Sequence, residues 1–188
     1  VERSRGLGDV YKRQVYSITV EDTASFWDAG EFIAVSSKLE VPHPPGAPFY
    51  LLLGRFFSMF AFGVPENIAI AINFLSVVSS AFTILFLFWT ITYLASKIID
   101  PRLNNDNKVL IILAGFIGSL SFTFTDSFWF SAVESEVYAM SSFFTAFVFW
   151  AILKWESLDD EKDQNKWIIL IAYMMAVSYT HLTLPTKA

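Results

Sequence analysis

The chain has 188 residues, of which 54% are hydrophobic, 18% aromatic and only 16% charged; soluble domains carry about 25% charged residues, so the composition is that of a membrane protein. A formal net charge of -5 with 13 Lys plus Arg leaves no basic face for a phosphate backbone, which excludes nucleic acid as a partner. The absence of Cys removes disulfide frameworks, thiolate metal sites and cysteine nucleophiles.

At the start, residues 1–14 (VERSRGLGDVYKRQ) have neither a helical nor a strand period, and at the end an apolar run from Trp167 breaks into SYTHLTLPTKA at residues 178–188. Both stretches resemble translated read-through at the ends of a fragmentary reading frame and are expected to be artefactual. Opening on Val1 rather than Met, the chain is expected to be a fragment. Between residues 15 and 177, eight basic residues face sixteen acidic ones, a net of -8.

Residues 15–46 are expected to form a loop outside the membrane. Within it, SFWDAGEFIAVSSKLEV places Asp28 and Glu31 three apart, on one face of any helix they join. Carboxylates so spaced can hold a cation or perturb each other's proton affinity, as a general base near neutral pH requires. The same acids also suit the first turn of a helix that opens after Ser25, where they complement the macrodipole. VPHPPGAP follows, with four prolines and a glycine between positions 42 and 48, which impose a stiff, directed turn. His43 is the only histidine between 15 and 177, and no second His or Cys completes a zinc site around it. It is either a plain turn residue or a cation and proton donor fixed by its prolines.

Residues 47–62 are apolar but short, and they carry Arg55 at their centre, where an isolated charge in hydrocarbon costs about 2.5–3.5 kcal/mol. Charge-free runs then cover 67–96, 109–125 and 137–153, with the start of another at 167–177. A transmembrane helix needs roughly 20 mainly apolar residues, so three complete spans and part of a fourth are expected. Lys97, Arg102 and Lys108 mark one connection and Lys154, Lys162 and Lys166 another, whereas 126–136 has no basic residue. The positive-inside rule makes both basic connections cytoplasmic. Counting crossings back from Lys97 is consistent only if 47–62 does not cross. It is therefore expected as an interfacial helix, with Arg55 and His43 near lipid headgroups where a phosphate binds. The third acidic element, DSFWFSAVESEVYAM, bunches Asp126, Glu134, Glu136 and Tyr138 at the outer ends of two spans. Acids at a membrane boundary are commonly functional, but Glu134 and Glu136 also fit a helix start with Trp129 and Tyr138 in an aromatic belt. No glycine-rich phosphate cradle is present, so a nucleotide-driven mechanism has no support.

The blocks TASFWDAGEFIAVSSKLEVPHPPGAPFYLLLGRFFSMFA and DSFWFSAVESEVYAMSSFFTAFVFW resemble the bacterial membrane family called domain of unknown function 2723, which is related to protein O-mannosyltransferases of the type-C glycosyltransferase fold. The likeness runs through 15–177 and covers only the N-terminal part of such proteins, with the first span missing. It implies an all-α polytopic helical bundle in the bacterial inner (cytoplasmic) membrane, with an outer-face interfacial helix and its active face outward. It also implies transfer of a mannose-like sugar from a polyprenyl-phosphate carrier to an acceptor hydroxyl on protein or glycan. By the resemblance, Asp28 holds the position of the first-loop catalytic acid with Glu31 as its neighbour, and the HPP block falls on His43, Pro44 and Pro45. The mannosyltransferases commonly pair Asp directly with Glu, whereas here Ala29 and Gly30 intervene, so which carboxylate is the base stays open. Arg55 and His43 would face the phosphate, while Glu134, Glu136 and Tyr138 would line the sugar or acceptor side. No cofactor is implied beyond a divalent cation as a candidate.

Two other function classes fit parts of the pattern. A transporter would use external carboxylates to recruit a cation, but it predicts functional charges near mid-membrane, and the three complete runs contain no Asp, Glu, Lys, Arg or His. A non-catalytic membrane scaffold would use the acids only to solvate its loops.

Overall fold

The computed structural model describes residues 16–24, 28–43, 46–99 and 105–182, with side chains through 179. The expectations for 1–14, for Pro44 and Pro45 of the proline turn, for Arg102 and for 183–188 lie outside the described residues. Every regular element described is helical: α1 (Ala29–Lys38), α2 (Pro48–Ser58), α3 (Ile68–Ile98), α4 (Asn105–Thr123), α5 (Asp126–Val133), α6 (Val137–Glu156) and α7 (Glu161–Leu182). Single 3-10 turns occur at Met59–Ala61 and Pro65–Asn67, and residues 16–19 are helical.

The helices long and apolar enough to cross a membrane are α4, α6 and α3 with the turn before it, matching the three complete spans read from the sequence. The fourth run begins earlier than its apolar part. Helix α7 starts at Glu161, six residues before Trp167, because Asp160 caps it: Lys162 N–H donates to Asp160 Oδ1 at 2.9 Å and Gln164 N–H to the Asp160 carbonyl. It continues unbroken through 178–182, part of the stretch set aside above as read-through.

The loops expected at 15–46 and 126–136 contain the helices α1 and α5. Both are short helices whose buried residues pack against α3 or its neighbours. Phe32 and Val35 of α1 join Tyr50, Leu51, Leu75, Met140 and Phe144 in one core. Phe128 and Ala132 of α5 join Tyr16, Val77 and Ile84 in another.

Helix α2 is shorter than a crossing needs. Pro48 to Ala61 is apolar and helical, but its 14 residues rise only about 21 Å against a hydrocarbon thickness of about 30 Å. The chain then reverses at Phe62 and Gly63, both with positive φ (50° and 81°). From this turn α3 runs for 31 residues, about 46 Å, and so overshoots the bilayer core. Its first turns form a post around which α1, α2 and α5 assemble. Gly54 allows the closest of these approaches: a Cβ there would stand 2.6 Å from Ser36 Oγ of α1 and 3.7 Å from Ile72 of α3.

Ring contacts fix the helix directions. Phe82 meets Phe143, Phe86 meets Phe147 and Trp89 meets Trp150, at centroid distances of 6.1, 5.0 and 5.3 Å, so α3 and α6 run parallel. Helix α4 returns with Gly115 against Phe88 and Thr92, and α7 returns from Trp167 against Trp150. These directions place Lys97, Lys108, Lys154, Lys162 and Lys166 at one end of the bundle. Asp28, Glu31, His43, Glu134 and Glu136 gather at the other.

Candidate functional site

Asp28 is the residue before α1 and Glu31 lies in its first turn. The helix ends at Leu39 in the left-handed region (φ 57°), with Glu40 N–H donating back to the Val35 carbonyl, a closure that turns the chain back along the helix it has just left. That return lays His43 over Glu31. The His43 backbone N–H donates to Glu31 Oε1 at 2.8 Å, His43 Nδ1 lies 2.8 Å from Glu31 Oε2, and Nε2 lies 3.8 Å from Asp28 Oδ2. The hydrogen bonds from the His43 backbone and ring hold the Glu31 carboxyl below its usual range. In turn the Glu31 carboxylate, by hydrogen bond and charge, raises the proton affinity of the His43 ring, with a smaller push from Asp28. Ligand atoms of Asp28, Glu31 and His43 all fall within 4.8 Å of one another. Two carboxylates and an imidazole at that spacing suit a proton shared through His43 or an oxygen-preferring divalent cation.

Asp28 also faces a second wall. The connector from α5 to α6 carries Glu134, Ser135 and Glu136, and a cleft of about 310 Å³ is lined by Asp28, Ser131, Glu134, Glu136 and Tyr138. Glu136 is only 8% exposed. Burial, reinforced by the negative charges of Glu134 and Asp28, pushes its pKa up to about 7. Glu136 therefore exchanges its proton near neutral pH while the better-hydrated Asp28 stands across the same cleft. Pairs of carboxyls pushed apart in this way can divide acid and base roles between them.

The structure brings six of the seven expected site residues together: Asp28, Glu31 and His43 on one side, and Glu134, Glu136 and Tyr138 joined to them through Asp28. Arg55 is the exception and lies apart from His43. Helices α1 and α2 run parallel, so Phe32 meets Tyr50 (5.4 Å between rings) while Arg55 comes level with Ser37. There Arg55 Nη1 donates to the Ser37 carbonyl, at the C-terminal end of α1, where a cation complements the helix dipole. Glu31 and Ser37 are six residues apart on α1, about 9 Å of rise, so Arg55 and His43 sit at opposite ends of that helix. Asp126 stands at the far end of α5 and does not line the cleft.

Sequence reasoning missed the polar residues behind the cleft. Asn73 of α3 and Ser135 are fully buried, and the Ser135 hydroxyl donates to Asn73 Oδ1. Asn73 Nδ2 donates to the carbonyls of Glu21 (2.6 Å) and Thr23 (3.3 Å). The buried Tyr50 hydroxyl lies beside those of Ser135 and Ser76, and desolvation raises its pKa. The available signal was Asn73 itself, the only amide side chain in α3.

Comparisons with known proteins place the chain in a family. Residues 28–185 match the family model described as the protein O-mannosyl-transferase TMEM260 N-terminal domain. The chain is 31% identical over 135 residues to the protein O-mannosyl-transferase tmem260 of Dictyostelium discoideum, covering 70% of this chain and 14% of that protein. It is 25% identical over 165 residues to the protein O-mannosyl-transferase TMEM260 of Mus musculus, covering 87% of this chain and 21% of that protein. The chain thus spans about a seventh to a fifth of the length of these relatives. No solved structure matches it. The matched region contains the whole carboxylate cleft and all three membrane-crossing helices, and the chain belongs to the protein O-mannosyl-transferase TMEM260 N-terminal domain family.

Proposed function

We propose that this chain supplies the carboxylate-lined part of a membrane glycosyltransferase, which moves a mannose-like sugar from a polyprenyl-phosphate carrier to an acceptor hydroxyl on protein or glycan. The reaction takes place at the membrane face opposite the basic connections. In a bacterial host, which the likeness to domain-of-unknown-function 2723 proteins suggests, this is the outer face of the inner membrane. The observation that carries the reading is the position of Asp28, which belongs both to the His43–Glu31 cluster and to the cleft lined by Glu134, Glu136 and Tyr138.

The step assigns one bond change to each group. Asp28 accepts the proton of the acceptor hydroxyl as its oxygen forms a bond to the anomeric carbon. The bond from that carbon to the carrier phosphate breaks, and the phosphate leaves with the electron pair. His43, held by Glu31 and 3.8 Å from Asp28, orients the base and stabilises its carboxylate before transfer. Glu136, protonated on part of the molecules near neutral pH, donates a hydrogen bond to a sugar or acceptor oxygen. A divalent cation, where one takes part, would be held by Asp28, Glu31 and His43 and would supply positive charge for the departing phosphate. Arg55, bound to the Ser37 carbonyl, has no place in this step.

Transport is the weaker reading, because the clustered carboxylates sit at one end of the bundle rather than along it. The test uses membrane vesicles given labelled polyprenyl-phosphate mannose, with a full-length protein that carries this chain and its Asp28→Asn form at matched expression, since the chain alone is expected to be inactive. Loss of a positioned base lowers transfer by about 100-fold or more. Equal transfer by the two forms removes Asp28 from the mechanism. Absence of transfer by a full-length protein that carries this chain, across several lipid-linked sugars and with divalent cations supplied, removes the glycosyltransferase reading.

A further inference from the structure

Several small polar side chains line α3, and four of them bond within their own helix. Ser79 donates to the Leu75 carbonyl, Thr83 to the Ser79 carbonyl, and Thr92 to those of Phe88 and Trp89. Such bonds satisfy a hydroxyl at membrane depth without linking it to anything else. Asn73 differs, since all three of its recorded bonds leave α3 and reach two separate segments. One of them carries the cleft carboxylates Glu134 and Glu136, and the other precedes Asp28 in the chain. Ser135 stands between Glu134 and Glu136, so its bond to Asn73 Oδ1 fixes the backbone of both carboxylates from behind. Thr23 lies five positions before Asp28, and the next residue, Ala24, packs against Gly30 of α1, where a Cβ would come within 3.4 Å of the Ala24 Cβ. A further bond joins the two segments directly, from Glu21 N–H to the Val133 carbonyl at 2.9 Å.

We propose that Asn73 is a positioning residue that sets the separation of Asp28 and Glu136 across the cleft, by clamping residues 21–23 and 133–136 to the same turn of α3. This inference rests on the glycosyltransferase reading for its consequence in catalysis, but its geometric content stands apart from it. Asn73 touches neither carboxylate and acts only through the backbones that carry them. The arrangement has a physical logic. A fully buried amide in a long apolar helix is stable only when its donors and acceptor are matched, so the two segments have one favoured register against α3. An apolar residue would fill the space without selecting that register. Tyr50, beside Ser135 and Ser76, extends the same polar layer to α2.

Two measurements separate this role from simple stabilisation. The first reads geometry without activity. The chain has no Cys, so spin labels on Asp22→Cys and Ser127→Cys, both exposed and outside the cleft lining, report the distance between the two segments in detergent or nanodiscs. A narrow distribution in the otherwise native protein that broadens or shifts in Asn73→Ala and in the milder Ser135→Ala is expected. The second splits the kinetics of labelled-mannose transfer. A misplacement of about 1 Å at reacting groups costs on the order of 100-fold in rate, so kcat per folded protein should fall roughly 10- to 100-fold in Asn73→Ala with KM for the lipid donor within about twofold. The double variant should be no worse than Asn73→Ala, because both changes open one clamp.

An unchanged distance distribution in Ser135→Ala and in whatever Asn73→Ala protein folds overturns the proposal. So does a loss of transfer that merely tracks the loss of folded protein. If a full-length protein that carries this chain transfers no sugar at all, the glycosyltransferase reading fails, and the spin-label distances still decide whether Asn73 sets the cleft.

Discussion

Glu136 offers the sharpest quantitative test of the site. Its pKa is pushed from an ordinary glutamate value of about 4.3 up to about 7 by burial and by the charges of Glu134 and Asp28. Between those values the folded chain holds a proton that the unfolded chain has lost, so stability falls as pH rises through this window and is insensitive to Glu136 outside it. At 1.36 kcal/mol per pH unit, the full difference is on the order of 3 kcal/mol. Substituting Glu136→Gln keeps the shape and removes the ionisation. The variant should therefore match the native protein near pH 4 and gain on it progressively, reaching its full advantage above pH 7. Thermal unfolding in detergent micelles, followed through the six tryptophans at intervals from pH 4 to 8.5, measures the gap directly, and titrating groups that do not face Glu136 cancel in the difference. Parallel pH curves for the two proteins would refute the reasoning, because they would mean that Glu136 is hydrated and ionises in the folded state as it does in the unfolded one.

The His43–Glu31 pair carries two opposite dependences. The contribution of His43 is full below the ordinary imidazole value of about 6.5 and is lost as pH rises through its raised pKa. That of Glu31 is full above about 4.3 and is lost as pH falls through its lowered pKa; a ring-proton NMR titration of His43 should return toward the ordinary value in Glu31→Gln. Gly54→Val should destabilise the chain by about 1–3 kcal/mol through overpacking, since even a Cβ would come 2.6 Å from Ser36 Oγ, and thermal unfolding against Gly63→Ala, where nothing lies within 4 Å and only the backbone is strained, separates the clash from the loss of glycine. Arg55→Gln should raise amide exchange in the last turn of α1 by removing its cation from the Ser37 carbonyl, while leaving sugar transfer within about twofold, in keeping with helix-end effects of roughly 0.3–1 kcal/mol. A loss of transfer as large as that of Asp28→Asn would return Arg55 to the phosphate.

Membrane embedding and the three complete crossings were legible in the sequence because each follows from a local property, the length of an uncharged run against the thickness of hydrocarbon. The placement of lysines is consistent only with residues 47–62 staying on one side, and α2 is shorter than the helices long enough to cross. The local pairing of Asp28 and Glu31 likewise followed from three-residue spacing. What spacing could not supply was the partner of each group across the chain. Parallel packing of α1 and α2 sends Arg55 to one end of α1 and leaves His43 at the other, a choice fixed by Gly54 meeting Ser36 and Phe32 meeting Tyr50. Only the tertiary structure joined Glu136 to Asp28, 108 positions away, and buried it enough to hold a proton near neutral pH. The reason is that burial and hydrogen bonding between distant segments are properties of how helices stack on α3. Asn73 shows the limit most plainly: in the sequence it is one polar letter in an apolar run, and only the fold reveals that its three hydrogen bonds leave the helix for two separate segments, one of which carries Glu134 and Glu136.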